Sequence, residues 1–83
     1  MIDAVRNAAL AHEFHTDEVA RRNEGYIHGD VTAQEFDEAF QVMRFMWNRA
    51  FRMTQMLDSP ARDQVRFERQ MRAYDRARER KAP

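Results

Sequence analysis

Three histidines offer the most obvious chemistry in the chain. His12 and His15 stand three residues apart in a stretch of helical spacing, with Glu13 and Asp17 nearby, and His28 follows in the next link. Imidazole nitrogens on one side of a helix can hold zinc at about 2.0–2.1 Å. The spacing does not fix His28 beside the other two, and His12-Glu13-Phe14-His15 lacks the i, i+4 histidine pair of a zinc protease helix. The histidines are therefore expected to line a core edge and make it pH-sensitive, with no metal and no other cofactor bound. Catalytic constellations are poorer still. The chain has no Cys, its only Ser is Ser59 beside Pro60, where a helix cap is expected, and its two glycines form no phosphate cradle. Carboxylate pairs such as Asp17-Glu18 and Asp37-Glu38 read as solvated faces, so the chain is read as a non-enzyme.

Arginine is the other residue type with chemical content. Arg62, Arg66, Arg69, Arg72, Arg76 and Arg80 recur at spacings of three and four, which places six like charges on one helix face. Each i, i+4 pair of them repels by a few tenths of a kcal/mol, so something negative is expected opposite. Acids of the first helix (Asp3, Glu13, Asp17, Glu24), an acidic protein surface or phosphate all meet that need. Phosphate binding would give a salt slope of about −5. The zero net charge favours an internal or protein partner over nucleic acid, whose binding domains are usually basic overall.

A third motif lies between Gly29 and Phe36. Gly29-Asp30-Val31-Thr32-Ala33-Gln34-Glu35-Phe36 resembles the second half of an EF-hand calcium loop, with Glu35 as its final bidentate ligand. The same register sets Glu24, Tyr26 and His28 where the loop needs its first three oxygen ligands, and neither Tyr26 nor His28 supplies one. The stretch therefore reads as a helix start. Thr32 and Glu35 form a capping box, and Val31 and Phe36 are placed for a hydrophobic staple.

These residues need elements to hold them, and 83 residues suffice for one domain at most. The spacing predicts an all-α fold of three helices: about 2–24, ended by Gly25; 33–57; and 60–81, after Asp58-Ser59-Pro60. Residues 78–83 are expected to fray. This gives a small three-helix bundle, or a helical hairpin plus a C-terminal helix. The first helix has a stripe of Ile2, Val5, Ala8, Ala9, His12, Thr16, Val19 and Ala20, with Leu10 and Phe14 off it, so it either contacts two neighbours or bends near His15. The third has a thin apolar seam of Phe67, Met71 and Tyr74 opposite its arginines.

Charge and hydropathy are unevenly distributed. The 14 acids balance 14 bases overall, yet residues 1–30 carry six acids against three Arg, and residues 61–83 carry eight bases against four acids. No basic and apolar leader opens the chain, and its longest aliphatic run, Ala8–Ala11, falls far short of the roughly 20 residues of a membrane span. A cytoplasmic location and no membrane contact are expected.

The second helix holds more large apolar side chains than its neighbours can cover. A place between the other two would explain a wide stripe, but not Phe45, which falls in the middle of the polar face. Phe40, Met43, Met46, Trp47 and Phe51 are read as a core or dimer seam, and Phe45 with Arg44, Arg49, Arg52 and Met56 as a partner-binding face. The expected role is a regulator, adaptor or inhibitor that docks on a larger protein and self-associates. The alternative is a nucleic-acid-binding regulator using the arginine stripe.

Overall fold

The computed structural model describes the backbone of residues 1–81 and the side chains of residues 1–80. Three helices account for nearly all of it: α1 (Ile2–His28), α2 (Ala33–Gln55) and α3 (Ser59–Lys81). Among the described residues there is no strand. The helix of α3 continues through Lys81, and the rest of the expected frayed stretch, Ala82 and Pro83, lies outside the described residues.

The first boundary differs from the expected one. Helix α1 runs on through Gly25 and ends at His28, and Gly29 terminates it in the left-handed region at φ 85°. The N–H of Gly29 bonds to the carbonyl of Tyr26 at 3.2 Å, and the N–H groups of Asp30 and Val31 both reach the carbonyl of Gly25, at 2.7 and 3.1 Å. Residues 24–28 are therefore helical and form no half of a calcium loop. Gly25 serves a different purpose. A Cβ there would lie 2.5 Å from Cγ2 of Val31, so the returning chain fits only against a bare backbone.

Gly25→Ala forfeits the packing but gains helix propensity of about 1 kcal/mol, and the clash should leave it net destabilising by roughly 1 kcal/mol. In a Val31→Ala background the same substitution should become stabilising. Urea unfolding of the four-member cycle measures both signs, and a stabilising Gly25→Ala with Val31 intact contradicts the contact.

The other boundaries shift by shorter amounts. Thr32 caps α2 as expected, accepting from the N–H of Glu35 at 3.1 Å, while its hydroxyl donates to the Glu35 carboxylate at 3.2 Å. Helix α2 ends at Gln55, not Leu57, because three-residue turns from Met53 to Met56 and from Thr54 to Leu57 tighten its end. Asp58, not Ser59, caps α3. Its Oδ1 accepts from the N–H of Ala61 at 3.1 Å, where a carboxylate also meets the positive end of the helix.

Helices α1 and α2 form an antiparallel hairpin. At its closed end Tyr26 stacks on Phe36 at 5.9 Å and Arg22 reaches Glu35 at 3.4 Å. At the open end Val5, Leu57 and Val65 make a small core, with Ile2, Met53 and Ala61 packed against it. Helix α3 then runs in the same direction as α1, since Arg6, Glu13 and Asp17 meet Glu68, Arg72 and Arg76 in that order. The closest packing is between α1 and α2, with α3 lying more lightly against both, so α2 is not sandwiched as its wide apolar stripe suggests. The small residues of α1 permit the close approach: Ala8 and Ala9 are buried, whereas α2 buries only Ala50. The Cα radius of gyration is 14.8 Å, against about 12 Å for a compact chain of this length. The excess reflects a flat arrangement, 45 × 33 × 14 Å, with much of its apolar surface uncovered.

Candidate docking surfaces

Helix α3 turns its arginine face toward α1, so that of the candidates for something negative opposite the stripe the first-helix acids are the ones it meets. Phe67, Met71 and Tyr74, its thin apolar seam, stand 60%, 44% and 61% exposed. Only Val65, near the start of the helix, enters the core. Glu13, buried to 9% exposure, accepts from Nε and Nη2 of Arg72 at 2.8 and 3.1 Å and pairs with Nη2 of Arg76 at 3.0 Å. Arg69 stands 4.0 Å from the same carboxylate, and Arg76 also reaches Asp17 at 3.9 Å.

A second pairing closes the near end of this contact. Nε of Arg6 donates to both oxygens of Glu68 at 3.0 and 2.9 Å, its Nη2 lies 2.8 Å from Oε1, and this bonding holds the Glu68 carboxyl below the usual carboxylate range. The physical reason for this orientation lies in α1, whose surface toward α3 offers Glu13 and Asp17, which three guanidinium groups satisfy and a Phe-Met-Tyr seam does not.

The remaining stripe residues are engaged differently. Arg62 donates from Nη2 to the Leu57 carbonyl at 2.9 Å. Arg66 is exposed and has no ion-pair partner among the described residues. Arg80 borders the same cleft as Asp17 and Glu24.

Helix α2 keeps its apolar surplus on the surface. Met43 and Met46 are half-buried against the hairpin, while Phe40, Trp47 and Phe51 are 39%, 46% and 50% exposed. Phe45 and Met56 are more exposed again, and Arg44, Arg49 and Arg52 are solvated around them. Trp47 and Phe51, one turn apart, stack with ring planes 9° from parallel and centroids 5.3 Å apart.

Between α2 and α3 lies a groove of about 530 Å³ floored by α1. Trp47 and Phe51 form one wall, Arg62, Arg66, Arg69 and Arg76 stand on the other, and His12, Glu13 and Thr16 make the floor. The arginine spacing was visible in the sequence, but nothing there placed it opposite Trp47 and Phe51.

His12 is the perturbed base in this floor. Burial lowers its pKa, the neighbouring Arg69 and His15 lower it further, and Glu13 partly opposes them. Its carbonyl accepts from the Thr16 hydroxyl at 2.8 Å, and Nδ1 makes no hydrogen bond to the protein. The fold therefore favours neutral imidazole, and the unfolded chain binds the proton more readily. Stability from this site is full above the unfolded value of about 6.5 and is lost as pH falls through the lowered value. Urea midpoints should drop between pH 7.5 and 5.5, and His12→Asn should flatten that slope. An unchanged slope in the variant contradicts the assignment.

The other histidines do not join His12. His28 ends α1, about 24 Å along the helix at 1.5 Å per residue, and among the described residues no three His, Asp or Glu side chains converge on one point. No helix among the described residues is long and apolar enough to cross a membrane. No protein family model, no curated protein and no solved structure matches the chain, so its surfaces are all that bears on function.

Proposed function

We propose that this chain is a small non-enzymatic docking protein: a single helical domain that works in the cytoplasm as a regulator, adaptor or inhibitor by laying α3 into a groove on a larger protein. The observation that carries the reading is the outward face of α3. Phe67, Met71 and Tyr74 stand at i, i+4 and i+7, the anchor spacing by which amphipathic helices enter hydrophobic grooves, and all three are exposed. In isolation that face has no internal cover. Phe45, with Arg44, Arg49 and Arg52, supplies a further contact on α2, and self-association would cover Phe40 and its neighbours.

The nucleic-acid alternative needs the arginine stripe free. Arg72 and Arg76 are already paired with Glu13 and Asp17, which favours the protein reading. Titration against duplex and single-stranded DNA and RNA at two salt concentrations separates the two. The expected result is no binding at low salt. Micromolar binding that collapses as salt rises would overturn the protein reading in favour of phosphate contact.

A further inference from the structure

We infer that the groove between α2 and α3 is a binding site for a small planar organic anion, independent of the outward α3 face. Three features of the lining define the ligand. Four arginines border the groove against one carboxylate, Glu13, which is already bonded to Arg72 and Arg76. The surplus positive charge selects an anion, and Arg66, exposed and without an ion-pair partner among the described residues, is the guanidinium free to form a charge-assisted bond with it.

The opposite wall selects the rest of the molecule. Trp47 and Phe51 present a nearly flat aromatic pair, each about half exposed, against which a ring system can pack. The volume of about 530 Å³ lies within the range of small-molecule sites, roughly 300–1,000 Å³. Polar capacity also remains beneath the surface, since His12 Nδ1 and Arg62 Nε make no hydrogen bond within the protein. The ligand class is therefore an aromatic ring bearing a carboxylate, sulfonate or phosphate. Such a molecule would touch α1, α2 and α3 together and hold α3 against the hairpin.

The single Trp of the chain lines this groove, so its fluorescence reports on the site directly. The full chain is titrated with 1-anilinonaphthalene-8-sulfonate, with its uncharged parent lacking the sulfonate, and with salicylate and adenosine monophosphate as carboxylate and phosphate arms. The expected result is saturable quenching of Trp47 at one molecule per chain for the sulfonate and at least one of the two other anions, and much weaker quenching for the neutral parent. Arg66→Gln, a surface change that leaves the fold intact, should weaken the anions about tenfold and the neutral parent hardly at all. Equal binding of the neutral parent, or anion binding that Arg66→Gln does not alter, overturns the proposal. The titration is repeated in the Phe67→Ser, Tyr74→Ser variant to remove probe bound on the outward face of α3, and unsaturable binding of several probe molecules there also overturns the proposal, so the docking reading stands or falls separately.

Discussion

Glu13→Gln is expected to detach α3 from the hairpin. The side chain is buried and serves two close guanidinium groups, Arg72 and Arg76, with Arg69 at the edge of reach. Neutralising it leaves those charges facing one another with only Asp17, 3.9 Å from Arg76, to offset them. Removing one partner of a fully buried pair costs about 3–5 kcal/mol, and because these arginine side chains remain about a third exposed the loss here should be on the order of 2–3 kcal/mol. For a chain of this length that lowers the melting temperature by roughly 10 °C or more. Amide hydrogen exchange should show where the loss falls: protection collapses along α3 and persists along α1 and α2. Glu24→Gln is the control, since that carboxylate is exposed, and it should change stability by no more than about 0.5 kcal/mol. Equal effects of the two substitutions would contradict the latch.

The second large effect is on association. Phe67→Ser combined with Tyr74→Ser removes the two largest outward anchors of α3. Both side chains are about 60% exposed, so the isolated chain should keep its helicity and melt within a few degrees of the parent. Aromatic anchors at the centre of an interface commonly contribute 2 kcal/mol or more each, about 30-fold in affinity per residue. The double variant should therefore fail to retain a protein partner that the parent retains through washing at high salt, where apolar docking survives and arginine contacts weaken. If the double variant unfolds instead, that face belongs to a core. Undiminished partner retention would show that α3 docks through some other surface.

The sequence was legible where local chemistry decides. The Thr32-Glu35 cap, the break at Asp58-Ser59-Pro60 and the small-residue stripe of α1 all specify structure within a few residues, and the all-helical fold follows from them. The end of α1 falls later than expected because two glycines are available and only tertiary contact distinguishes them. Val31 needs the bare backbone of Gly25, which leaves Gly29 to take the left-handed turn. The orientation of α3 is legible in part: its arginine stripe calls for something negative opposite, and the acids of the first helix are one candidate. Glu13 and Asp17 are the two that meet it, which leaves Phe67, Met71 and Tyr74 outside, and spacing alone does not choose among an internal, a protein and a phosphate partner. The groove could not be read at all, because it depends on α2 and α3 diverging on either side of α1.

A docking face on α3 requires the helix to lie arginine-side in and apolar-side out. Nuclear magnetic resonance of the dilute protein with a soluble paramagnetic agent tests that orientation residue by residue. Ring signals of Phe67 and Tyr74 should broaden as strongly as those of Phe45, while the methyl signals of Val65 stay sharp. Protection of Phe67 and Tyr74 to the level of Val65 would mean that α3 packs by its apolar seam, and the docking face would not exist.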